Sequence, residues 1–268
     1  MSYSAWAFVR RDFYTQTSYR LNFVARIVRV LISTAIFYFV SQTLGVTVNS
    51  YLQRYDTDYF HFVLLGIAFY PFIRLSINSM SEAVRRYQQD GTLEMLFLSP
   101  TSIYAILPMS TLWDYCWALF ESLFYLLVAS LIFQAQLNWV GISSAILIVV
   151  LAIFANAGLG LINVSFMLVT KQTSPLIHIL GLSTSLLAGL YFPIEVLPIW
   201  LRSFSYLLPA TYSFDALRRT LLQETSLVEV WQTLLVLAGF SAVLLPLGLI
   251  TLHYAVRWAK MDGSLAQY

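Results

Sequence analysis

Charge is what this sequence has least of. Its 15 Lys and Arg and 13 Asp and Glu make up 10% of 268 residues, where a soluble domain carries about 25%. That excludes an ordinary water-soluble domain. Cysteine is reduced to Cys116 alone, so no internal disulfide can form, and its apolar setting says nothing about redox compartment. The three histidines, His61, His178 and His253, are scattered. With no HExxH pair and no metal-spaced His/Cys set, no metal site is expected. No GxxxxGK[ST] phosphate loop occurs, which excludes ATP hydrolysis of that kind by this chain. No Ser/His/Asp set is suitably spaced for nucleophilic catalysis, so no catalytic residue is expected. The N-terminus lacks a short apolar core with a small-residue cleavage site, so no signal peptide is expected. A formal net charge of +2, held mostly in basic flanks, gives no footing for nucleic acid.

What is abundant is apolar length. Hydrophobic residues make up 59% of the chain and the mean hydropathy is +0.73. No charge occurs from Ser122 to Thr170, from Gln172 to Ile194, or from Val230 to Val256. A helix crossing a hydrocarbon core of ~30 Å needs about 20 apolar residues. The first run has room for two crossings and the others for one each. Nearer the N-terminus, 30–48 is uncharged and 60–81 is apolar except for Arg74. The fold expected is therefore an all-α polytopic membrane protein with six transmembrane helices. They are placed at 27–48, 60–82, 103–133, 141–169, 174–192 and 230–256. Pro108 and Pro246 fall inside spans, where proline kinks a helix without breaking it.

Lys and Arg collect on the cytoplasmic side of membrane proteins. With the N-terminus inside, the inner set is Arg10, Arg11, Arg20, Arg26, Arg29, Arg85, Arg86, Lys171, Arg257 and Lys260, against Arg54, Arg202, Arg218 and Arg219 outside. Both termini are thus expected in the cytoplasm, the chain lying in the cell's inner (plasma) membrane. Within 1–22, Trp6, Val9 and Phe13 fall on one side of a helix and Arg10 and Arg11 on the other. That pattern suits a helix lying in the inner interface, its arginines toward lipid phosphates.

Two segments are neither loop nor crossing. Residues 85–100, RRYQQDGTLEMLFLSP, run a polar turn into a short apolar face of Leu93, Leu96 and Phe97. Gly91 permits positive φ at the turn, Thr92 or Asp90 can cap the helix start, and Glu94 suits its first turn. Residues 189–229 hold two half-length amphipathic helices. The first runs from Pro198 to Pro209; the second carries Phe214, Leu217 and Leu221 on one side, with Arg218 and Arg219 on its polar side. They suggest a re-entrant or interfacial hairpin at the outer surface, serving as a lid or as a gate.

Polar groups inside the spans need reasons, because a central charge costs about 2.5–3.5 kcal/mol to insert. Arg74 and Asp114 are expected to pair, holding spans two and three together. Asn78 follows Arg74 on one face of span two, and Asp114 and Glu121 share a face of span three. Asn156, Gly160, Asn163 and Met167 stripe span four. These stripes suit either a substrate path or helix packing.

The order of pieces resembles an ABC-2 type permease, the membrane subunit of an ATP-binding-cassette exporter. An amphipathic N-terminal helix, six spans, the loop GTLEMLFLSPT at 91–101 and the outer segment GLYFPIEVLPIWL…YLLPATYSFDALR carry the likeness, over nearly the whole chain. The resemblance implies one transmembrane domain over 1–268 with 83–102 as a coupling loop, where Asp90, Gly91, Thr92, Leu93 and Glu94 meet an ATPase. It implies as partners two copies of a separate ABC ATPase subunit, which would hold the ATP and Mg, a second copy of this chain, and membrane lipid. No cofactor is expected on this chain. The export of a hydrophobic or amphiphilic substrate, a drug-like molecule or a lipid, is the function implied, with a lipid-linked polysaccharide as the alternative. An ion-driven secondary transporter belongs to another class, but the broken, repeated spans typical of one are not seen.

Overall fold

The computed structural model describes residue 10 and residues 20–52, 55, 57–99, 101–135, 141–170, 175–223 and 229–261, and among them there is no strand. Its helices are α1 (Arg20–Leu52), α2 (Tyr59–Gln89), α3 (Leu93–Leu98), α4 (Ile103–Met109), α5 (Leu112–Ile132), α6 (Ile142–Thr170), α7 (Pro175–Leu187), α8 (Ile199–Ser205), α9 (Pro209–Leu222) and α10 (Trp231–Met261). A 3₁₀ turn at Ile194–Val196 precedes α8. The interfacial helix expected in 1–22 falls on residues outside those described, apart from Arg10, which is exposed, and the first residues of α1; Arg11 is among those left out.

Among the described residues, five helical stretches are long and apolar enough to cross a membrane: Phe23–Thr43, Tyr59–Gln89, Ile103–Ile132, Ile142–Thr170 and Trp231–Met261. The stretch expected to make the fifth of six crossings is the 13-residue α7, about 20 Å long. That is short of a ~30 Å core. The chain leaves the helix after Leu187, and Gly189 takes a φ of +80°.

The third crossing is not one continuous helix either. It breaks at Ser110–Thr111 between α4 and α5. Pro108 has no N–H to give to the carbonyl four residues back, and the turn tightens so that the Thr111 N–H reaches the Pro108 carbonyl. The Ser110 and Thr111 hydroxyls add bonds to the Leu107 and Pro108 carbonyls, each at 2.9 Å. The backbone stays satisfied where lipid could not satisfy it.

α6 is the centre of the bundle, with α10 and α2 packed along it and α9 across one end. Lipid tails are as apolar as leucine, so such helices associate by close packing and polar bonds rather than by the hydrophobic effect. Gly160 shows how close. A Cβ there would strike the Ser76 carbonyl oxygen of α2. Gly158 and Gly248 meet in the same manner at the α6–α10 crossing. α1 stands at the margin, with Phe23, Val24, Ile32, Ile36 and Phe39 exposed, and is tied in by Ser33, whose hydroxyl bonds that of Tyr125 at 2.9 Å.

α1 and the α4–α5 crossing run one way and α2, α6 and α10 the other, which gives the bundle two chemically distinct ends. One, the basic end, carries α3 together with Arg26, Arg29, Arg85, Arg86, Arg257 and Lys260. The other carries α8 and α9 and the starts of α2 and α10. α2 begins there on Asp58, whose carboxylate accepts the His61 N–H at 3.2 Å and so satisfies a first-turn donor.

Candidate functional site

The turn at Asp90-Gly91-Thr92 is a helix ending before it is a helix start. Asp90 closes α2 as its C-cap, and Gly91 takes the left-handed backbone, φ +65°. The Thr92 N–H then reaches the Tyr87 carbonyl at 2.9 Å and the Gly91 N–H the Gln88 carbonyl at 3.1 Å. This is the doubly bonded Schellman ending of a helix. Thr92 does stand at the N-cap position of α3, but its hydroxyl turns back to the Tyr87 carbonyl, and no side chain caps α3. The expected capping role of Thr92 or Asp90 is therefore corrected: both residues serve the end of α2.

Six residues make α3, with Glu94 in its first turn. Leu93 is 2% exposed, and Leu96 and Phe97 pack beside it on a cluster that includes Met80, Val84, Val164, Leu168 and Val256. α3 is thereby seated on α2, α6 and α10 at once. Its other side presents Glu94, Met95 and Leu98 to the surroundings, next to exposed Asp90 and Gly91.

Arg74 and Asp114 do not pair. Arg74 Nη1 lies 3.4 Å from Glu82 Oε1 on its own helix, and Asp114 Oδ2 lies 3.8 Å from Arg86 Nη2. The levels explain it. Asp114 sits in the first turn of α5 at the basic end, and Arg86 is twelve residues beyond Arg74, about 18 Å along α2. Arg74 and Glu82 are both half exposed, at 44% and 43% of the side chain.

Asn156, Asn163 and Asn78 are buried. The Asn163 amide donates to the Ile77 carbonyl at 3.2 Å across the α2–α6 contact, and the Asn156 amide to the Ala152 carbonyl at 2.8 Å within α6. Asn163 lies in the same seam as Gly160.

A residue placed on the polar side of α9 by sequence turns out to be its one fully buried charge. Arg218 is 2% exposed. Its Nε donates to the Phe62 carbonyl at 3.0 Å, Nη1 to that of Gly189 at 2.7 Å and Nη2 to that of Leu190 at 3.0 Å. The guanidinium carbon stands 3.5 Å from the Phe62 ring centroid. Burial pulls its pKa down to about 10, against the pull of Tyr55, Asp215 and Glu195 in the other direction, and it stays charged at neutral pH. One side chain thus fastens α9 to the start of α2 and to the turn after α7. Gly66 makes room for this, since a Cβ there would strike the Leu190 carbonyl and stand 2.8 Å from Arg218 Nη2. The signal was present in the sequence: 214, 217, 218 and 221 form one helical stripe, and Arg218 falls inside it. Arg219, the next residue, is part exposed and lies 4.0 Å from Asp215.

A sequence profile of the ABC-2 type transporter family matches residues 3–222. Among curated proteins, the probable multidrug ABC transporter permease YbhR of Escherichia coli K12 is 26% identical over 156 residues, which is 58% of this chain and 42% of that protein. Its counterpart in Escherichia coli O157:H7 matches with the same figures. The matched region therefore spans less than half the length of these relatives. By the extent of the profile match, this chain, with several crossings, belongs to the ABC-2 type transporter family.

Proposed function

We propose that the chain is the membrane-spanning permease subunit of an ATP-driven exporter. It works with two copies of a separate ABC ATPase subunit, which binds the ATP and Mg, and with a second copy of itself. It holds no cofactor. Its basic end faces the cytoplasm, and both termini lie on that side of the inner membrane; the asymmetry of Arg26, Arg29, Arg85, Arg86, Arg257 and Lys260 supports that orientation. The cargo is hydrophobic or amphiphilic, a drug-like molecule or a lipid, a reading supported by the multidrug name of the relatives.

One observation carries the proposal. Arg74 stands midway along a crossing helix, and its pair with Glu82 is half exposed. Ionisable groups at that depth face a bundle interior or a water-filled cavity, not lipid tails. The open face of α2 therefore belongs to a polar path or to a second chain, as a permease requires. ATPase closure acts on the exposed side of α3, and the seat of Leu93, Leu96 and Phe97 passes the movement to α2, α6 and α10.

The test is reconstitution with the co-purified ATPase. Efflux of a lipophilic dye and dye-stimulated ATP hydrolysis are expected, with both lost in Arg74→Ala and Glu82→Ala although the complex still assembles. Dye movement driven by an ion gradient in vesicles without the ATPase would overturn the reading.

A further inference from the structure

A cavity of about 320 Å³ opens at the end of the bundle opposite α3, between the start of α2, the turn after α7, α9 and the first turns of α10. We propose that it is a binding site for one anionic head group, a phosphate or a carboxylate, whose apolar tail stays outside.

Charge and donors point to an anion. Arg218 and Arg219 both line the cavity, with Asp215 between them in the lining. Asp215 is already answered, accepting from the Tyr55 hydroxyl at 2.8 Å and lying 4.0 Å from Arg219. Among the described residues Arg218 has no carboxylate at bonding distance; its three bonds go to neutral carbonyls. A guanidinium has five N–H groups, so one on each Nη is left beyond those bonds. A buried cation with spare donors on a cavity wall favours an anion by charge-assisted hydrogen bonding. Gln232 and Thr233 add neutral polar groups on the α10 side.

Depth and size point to a head group rather than a whole molecule. Phe62 and Thr233 belong to the first turns of two crossings, so the cavity sits at the level of a membrane surface. Exposed Trp200 and Trp231 flank this end, as aromatic residues do at head-group depth. The volume is at the low end for ligand pockets, too small for a head group with its chains. Val236 lines the cavity and is itself exposed, with Leu235 beside it, so an acyl chain can leave over α10 into the surrounding lipid.

Binding here is separate from export, because the test uses the permease chain alone, without an ATPase. The purified chain is placed in phosphatidylcholine nanodiscs with a minor fraction of phosphatidylglycerol, and lipid retention is read by native mass spectrometry. One retained phosphatidylglycerol is expected, in preference to phosphatidylcholine. Arg219→Gln and Thr233→Val are expected to weaken retention, Arg219→Gln by at least about tenfold, the loss of one charge-assisted bond. Lys260→Gln at the basic end is expected to change nothing. In a second arm inorganic phosphate is titrated and the unfolding temperature followed. A rise with phosphate that Arg219→Gln abolishes, without lipid retention, supports the same site with a free anion as its ligand. Equal retention of the two lipids with no phosphate effect overturns the proposal, as does retention unchanged in both Arg219→Gln and Thr233→Val.

Discussion

Arg218 is held by three carbonyl oxygens and an aromatic face, so its geometry matters as much as its charge. Lysine brings a point charge on a flexible stem and cannot fork to three acceptors on two separate segments. Arg218→Lys is expected to destabilise the protein by about 3 kcal/mol or more, corresponding to two lost charge-assisted bonds, read as a fall in unfolding temperature in detergent. Gln should do no better. The intramembrane charges predict a different pattern. Arg74 and Asp114 have separate partners, so Arg74→Ala and Asp114→Ala should add within about 0.5 kcal/mol in a double-mutant cycle. Arg74 and Glu82 should show coupling, kept below about 1 kcal/mol by their exposure. The sequence located both charges in crossings but not their heights, because helix ends read from composition blur by about a turn or more. Arg86 lay outside the expected span and was counted only as a basic flank.

At the scale of elements, the α2–α3 junction rests on one backbone angle. Nothing lies within 4 Å of a Cβ built on Gly91, so substitution there meets strain and no clash. Asn tolerates positive φ and a β-branched residue does not. Gly91→Asn should therefore keep substrate-stimulated ATPase activity in the reconstituted complex, while Gly91→Val should lose it with assembly intact. Equal behaviour of the two would mean that the turn's shape is irrelevant to coupling. This element was legible because glycine after a polar helix end announces a left-handed residue. The direction of the cap was not, since Asp and Thr serve either a helix end or a helix start. α7 was the least legible element. Residues 188–192 continue its apolar composition, and only the carbonyls drawn toward Arg218, from another part of the chain, show where the helix stops. The α4–α5 break hid likewise behind a proline that membrane helices commonly absorb.

For the whole molecule, the course of the crossings sets α3 and α8 at opposite ends. If the basic end is cytoplasmic, Ser203→Cys on α8 should react with an impermeant thiol reagent on intact cells and Gln89→Cys should not. Both need a Cys116→Ala background, because Cys116 is exposed. Labelling of Gln89→Cys from outside would invert the orientation. α2 runs through this arrangement from end to end. It carries the α3 turn at Gln89 and the Arg218 contact at Phe62, about 40 Å apart. A displacement applied at one end of such a rod reappears at the other, undiminished unless the rod flexes. α2 has one built-in weak point, Pro71, which leaves the carbonyl of Ile67 without its usual helical N–H. The stiffness of that single joint sets how much of a push on α3 arrives as motion of the far hairpin and how much is spent bending the shaft.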